Sequence, residues 1–212
     1  MSGRPAHRLP GALLAAFALA ALVELVSVAV DARTGQLLAK PLLMPLLAAY
    51  VAARGGPRLL VAALLLGWGG DVFLLSSADG AFLAGMGCFA AGHLCYLVLF
   101  GHRRTRAGLA LGYGLALVVA LALLWSGLPA ELRAPVAVYS LLLAAMACRA
   151  SALGPLAGAG GALFLLSDTL IATGVADRPQ PPAADLWIML TYIAAQALLT
   201  AGILRSRPRT HD

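Results

Sequence analysis

A polytopic, all-α membrane bundle of about eight transmembrane helices is the fold class that this sequence predicts, and three observations predict it. The 212 residues are 61% hydrophobic and only 11% charged, more apolar surface than a soluble domain of this length hides from water. The apolar residues gather into eight runs of roughly 20 residues, the length that crosses a hydrocarbon core of about 30 Å. The arginines fall in the gaps between those runs, and their density alternates from one gap to the next.

Gly, Pro and charge punctuate the runs, which places spans at 11–30, 36–53, 58–76, 81–100, 107–125, 133–150, 154–175 and 185–204. The first follows Arg4, His7 and Arg8 and superficially resembles a secretory signal. It is longer than a signal core, contains Glu24 and lacks a small-residue cleavage site, so it reads as a retained span. The runs are continuously apolar and rich in Leu and Ala, whereas a closed barrel requires alternation of polar and apolar residues, so the spans are helices. Eight spans with short loops use almost the whole chain and predict a single transmembrane domain over residues 1–212. The 23 glycines, many of them inside spans, predict close helix contacts.

The loops carry a topology signal. Of the 15 cationic residues one is Lys40, leaving 14 arginines. Eleven of them (4, 8, 54, 58, 103, 104, 106, 149, 205, 207 and 209) fall on one side of the predicted membrane; Arg33, Arg133 and Arg178 fall on the other. Asp31, Asp79, Glu131, Asp177 and Asp185 share the arginine-poor side. By the positive-inside rule both termini are expected in the cytoplasm, with the chain in a bacterial inner membrane and lipid as its surroundings. The net charge of +6 does not mark a nucleic-acid binder, because no basic face with interleaved aromatics is built. Cys88, Cys95 and Cys148 lie inside apolar runs, without the spacing of a disulfide framework or zinc site. No cofactor and no metal is expected, although two aspartates and a histidine would suit a metal if they converged.

Four charged residues interrupt the spans: Glu24, Lys40, Asp71 and Asp168. Lys40 is the only lysine. At roughly 2.5 to 3.5 kcal/mol for each charge at mid-span, four uncompensated ones cost about 10 to 14 kcal/mol, so they pair, neutralise or face a wet cavity. The topology puts all four in the outer half of the membrane, at most about 10 Å below its boundary at 1.5 Å per residue, where one pocket is able to hold them. Helical spacing extends the set. Gly85, Phe89, His93 and Tyr96 share a face of span four; Phe164 and Asp168 share one of span seven; Tyr192, Gln196 and Thr200 share one of span eight; and span six adds Tyr139 and Ser140 near its outer end. The expected lining has aromatic and apolar walls around polar groups. Each residue has a plainer role open to it: snorkelling for Lys40, a structural ion pair or hydrogen bond for the carboxylates, and a satisfied core position for His93.

The pattern resembles the YhhN, or lysoplasmalogenase-like, membrane proteins. The resemblance rests on Lys40-Pro41, on Leu66-Gly67-Trp68-Gly69-Gly70-Asp71, and on Phe89, Gly92-His93 and Tyr96. It continues through Tyr139, the run from Gly161 to Ser167-Asp168, and Tyr192 with Gln196. No single motif is specific; their order across consecutive spans carries the likeness. It implies an eight-span fold and a hydrolase that cleaves the vinyl ether bond of a lysoplasmalogen, or a related lysolipid ether, to a fatty aldehyde and a glycerophospho-alcohol. Such a reaction needs one acid and one base, and two carboxyl groups in different surroundings supply both in glycoside hydrolysis. Asp71 and Asp168 are the candidates, with Lys40 setting the two apart. Glu24, Phe89, His93, Tyr96, Tyr139, Phe164, Tyr192 and Gln196 are the candidate substrate-binding residues for a lysophospholipid. A proton-coupled transporter would use the same buried ionisable residues, and Pro41 and Pro45 would suit a broken helix, but no inverted repeat is visible. A lipid-binding or assembly protein without catalysis is the third reading.

Overall fold

The computed structural model describes residues 8–206; Arg4, Arg207 and Arg209 of the topology count, and His7, lie outside the described residues. Within these bounds the chain folds into eight α-helices and no strand. They are α1 (Leu9–Ala29), α2 (Arg33–Ala53), α3 (Arg58–Leu74), α4 (Ala81–Phe100), α5 (Ala107–Leu124), α6 (Ala130–Ala150), α7 (Pro155–Val175) and α8 (Ala184–Arg205), with a 3-10 turn at Ser151–Leu153 between α6 and α7. Seven are long and apolar enough to cross a membrane. The other, α3, has 17 residues, the lower edge of the range that spans a bilayer core. The chain is a polytopic helical membrane protein.

Local chemistry sets the helix ends. α1, α2 and α7 close on the same device, in which the amide two residues past the C-cap bonds back to the third residue from the end. The bonds are Ala32 to Ser27 (2.7 Å), Gly56 to Val51 (2.8 Å) and Arg178 to Thr173 (2.9 Å). The intervening residue is left-handed in each, with φ 52° at Asp31, 61° at Gly55 and 50° at Asp177. Glycine adopts that region freely, and aspartate is among the few other residues that visit it. Pro41 and Pro45 lie inside α2, which continues across both, although each proline removes one bond from the helix ladder.

Packing divides the chain into two compact units, Met1–Leu99 and Phe100–Asp212. In the first, α1 packs on α2 and α2 on α3, around Leu43, Met44, Leu47, Leu60 and Leu64. Glycines set the approach of α3 to α4. A methyl on Gly85 would lie 3.2 Å from the Gly70 carbonyl, one on Gly92 3.2 Å from that of Ala63, and one on Gly70 would strike the Phe89 ring. The Arg33 guanidinium donates to the Leu75 carbonyl at 2.8 Å and ties the start of α2 to the end of α3.

In the second unit α7 packs against both α6 and α8, with Leu143, Met146, Ala147, Phe164, Ala195 and Leu199 buried. Here too small residues face backbone: Gly161 meets Ala147 of α6, Gly160 meets Leu199 and Ala195 of α8, and Gly202 meets Ala157. Side chains fasten the loops. Arg149 donates to the Arg103 carbonyl at 2.7 Å and Thr105 to that of Cys148 at 3.1 Å. Gln180, in the proline-rich loop, donates to the Leu170 carbonyl at 2.8 Å. α5 packs on α6 yet buries only Leu124; Leu111, Leu115, Val118 and Leu123 are exposed, an apolar surface suited to lipid.

Candidate functional site

Each unit carries its own set of polar groups within its helices. In the first, Glu24, Asp71 and His93 are buried and Lys40 is half-buried. α1 and α2 form a hairpin that brings Glu24 within Coulombic reach of the Lys40 ammonium and of the Lys40 backbone N–H. Measured at 1.5 Å per residue from the ends that meet at this turn, Glu24 lies about 8 Å in from Ala29 and Lys40 about 10 Å in from Arg33. Asp71 is about 5 Å from the last residue of α3 on the same scale, the end that Arg33 secures. On α4, Gly85, Phe89, His93 and Tyr96 are all buried, the face that their spacing predicts.

In the second unit the Tyr139 hydroxyl of α6 donates to Asp168 Oδ2 of α7. One turn earlier on α7, Phe164 meets the Tyr192 ring of α8 edge to face, with centroids 5.5 Å apart and planes at 86°, a favoured arrangement of aromatic quadrupoles. Tyr192, Gln196 and Thr200 are buried along one face of α8. Ser167, which adjoins Asp168, is not among the candidate site residues of the sequence. Its hydroxyl donates to the Ile188 carbonyl at 3.1 Å and locks α7 to α8 beside the carboxylate. Among the described residues no three His, Cys, Asp or Glu side chains are grouped to hold a metal ion.

Carboxylates, an ammonium, an imidazole and phenols inside apolar helices define the class: a polytopic membrane protein with polar groups set within its spans. The YhhN family model matches residues 35–203. Among curated proteins, human lysoplasmalogenase TMEM86B is 42% identical over 152 residues, which cover 72% of this chain and 66% of that protein. The rat protein of the same name is 38% identical over 169 residues, 79% of this chain and 71% of that one. Bovine lysoplasmalogenase TMEM86A is 34% identical over 158 residues, 68% and 64%. This chain belongs to the YhhN family. The matches span 66% of the human TMEM86B and 55% of the pig TMEM86B, and no solved structure matches. α1, with Glu24, precedes the residues that the family model covers.

Proposed function

We propose that this chain is a membrane hydrolase that cleaves the vinyl ether bond of a lysoplasmalogen, or of a related lysolipid ether, with Asp71 and Asp168 as its acid and base. The observation that carries the reading is the identity shared with relatives named lysoplasmalogenase, in a chain that keeps both carboxyl groups inside apolar helices. A carboxylic acid protonates the outer alkene carbon, leaving an oxocarbenium ion at the carbon attached to oxygen. The second carboxyl group takes a proton from water as the water oxygen bonds to that carbon. The hemiacetal then breaks its bond to the glycerol oxygen, which receives the hydroxyl proton, and aldehyde and alcohol separate. The Lys40 cation stabilises negative charge in the first unit, and Tyr139 steadies the Asp168 carboxylate in the second.

The direct test incubates purified protein with a lysoplasmalogen and assays free fatty aldehyde. Absence of aldehyde under conditions where the protein is folded sinks the proposal, and substrate accumulation in proteoliposomes would favour transport. Tyr139→Phe tests the Asp168 side. A hydrogen bond to a charged group contributes about 1.5 to 3 kcal/mol, so turnover should fall about tenfold or more while the fold is retained. Unchanged turnover would separate Tyr139 from the reaction.

The arginine distribution supports a plasma-membrane protein with both termini in the cytoplasm. In a variant whose three cysteines are replaced, a thiol at Gln180→Cys should react with an impermeant maleimide on intact bacterial cells. A thiol at Arg104→Cys should react only after permeabilisation. The reverse pattern would invert the orientation.

A further inference from the structure

Glu24 has no task in the proton transfer proposed above, and it lies within electrostatic reach of Lys40. Glu24 is 1% exposed, and its Oε2 has no hydrogen-bond partner among the described residues. A buried carboxylate costs several kcal/mol unless a cation and hydrogen bonds satisfy it. Lys40 supplies the cation, and one buried acceptor oxygen remains unpaired. Lys40 itself is only half-buried. Side chains on a helix lean toward its N-terminus, so the Lys40 stem leans toward the membrane boundary at the α1–α2 turn. The result is a cation and an unpaired acceptor within electrostatic reach of each other, about 8 to 10 Å from the helix ends by the rise per residue.

We propose that Glu24 and Lys40 form a dipolar subsite for the glycerophosphate portion of a lysophospholipid, Lys40 binding the phosphate and Glu24 Oε2 accepting the free hydroxyl on the adjacent glycerol carbon. The inference rests on the lysolipid reading above and deepens it. Hydroxyl and phosphate sit on neighbouring carbons, so one ligand offers a donor and an anion at the spacing of neighbouring side chains. A phosphate alone would satisfy Lys40 and be repelled by Glu24; a hydroxyl alone would leave the ammonium unmatched. The subsite therefore selects lysolipids, because acylation of that hydroxyl removes the donor and adds bulk against Glu24. It also gives α1 a function, although the family model does not cover that helix.

The experiment measures equilibrium binding in nanodiscs, independently of turnover, for three lipids: an alkenyl lysophospholipid, its analogue methylated on the free hydroxyl, and the alkenylglycerol that lacks phosphate. In the unmodified protein, methylation and loss of phosphate should each weaken binding about tenfold. In Glu24→Met the methylation effect should shrink to less than twofold, and in Lys40→Met the phosphate effect should do the same. The double variant Glu24→Met/Lys40→Met leaves neither charge unpaired, and it should lose both discriminations even if a single variant misfolds. Equal discrimination in the variants and the unmodified protein would overturn the subsite. If the protein binds with the expected selectivity but releases no aldehyde, the hydrolase reading fails and the subsite stands.

Discussion

Replacing Asp71 or Asp168 by Asn is expected to lower aldehyde release by a hundredfold or more while leaving the protein folded. Asn keeps the size of Asp and retains an acceptor oxygen for the Tyr139 hydroxyl, but it neither gives nor takes a proton at the reacting atoms. Positioned proton transfer contributes roughly 10²- to 10⁴-fold to rate, and the ionic intermediate of vinyl ether hydrolysis requires it at two steps. The two sites differ in setting: Asp71 is 2% exposed, whereas Asp168 is half-buried and accepts a phenol hydroxyl. Such asymmetry lets one carboxyl group act as acid and the other as base. An acid and a base together give a rate that rises and then falls with pH. The variant lacking the base should lose the rising limb, and the variant lacking the acid the falling one. Full turnover in either variant, with elution and helicity like those of the unmodified protein, would remove that aspartate from the mechanism.

The second large effect is on stability. Gly160→Val is expected to destabilise the second unit strongly, because even the first added carbon would lie 2.8 Å from the Leu199 amide nitrogen and 2.9 Å from the Ala195 carbonyl oxygen. Both are backbone atoms, so relief requires α7 and α8 to separate, and overpacking of this kind costs about 1 to 3 kcal/mol, occasionally more. Gly161→Val should behave alike, because its added carbon would lie 2.8 Å from Ala147 Cα on α6. The comparison is Gly112→Ala on α5, where nothing stands within 4 Å. That change should be neutral or slightly stabilising, since glycine in a helix costs roughly 0.5 to 1 kcal/mol relative to alanine. Thermal unfolding in detergent should fall by several degrees for Gly160→Val and not for Gly112→Ala. Equal melting of the two would refute the packing account.

Hydropathy made the helix count and the buried faces of α4 and α8 legible because both follow from periodicity in one segment. The boundaries were less so, for a physical reason. Span two was expected from residue 36 and span six from 133, whereas α2 begins at Arg33 and α6 at Ala130. Arg33-Thr34-Gly35 and Ala130-Glu131-Leu132 are too polar or too short to register as hydrocarbon-embedded, yet a helix continues into the interface, where water satisfies its first amides. Pairings between helices are a different matter. Tyr139 and Asp168 are 29 residues apart, and nothing in their local sequence encodes the hydrogen bond; the approach of α6 to α7 through Gly161 does. The neighbour of Lys40 was equally hidden. Either aspartate is open as its partner in the sequence, and the α1–α2 hairpin brings Glu24 within its electrostatic reach.

The bare outer surface of α5 has a consequence for how this chain tolerates change. With Leu111, Leu115, Val118 and Leu123 turned outward, one apolar residue serves there as well as another, since lipid tails do not discriminate between shapes as a packed core does. Selection on this helix acts through its partition into the bilayer. An arginine at its midpoint would cost roughly 2.5 to 3.5 kcal/mol on insertion scales, and an Ile for Val would pass unnoticed. Substitutions should therefore accumulate on α5 as a drift in spelling among aliphatic residues, while α7, held between two backbones, keeps its glycines.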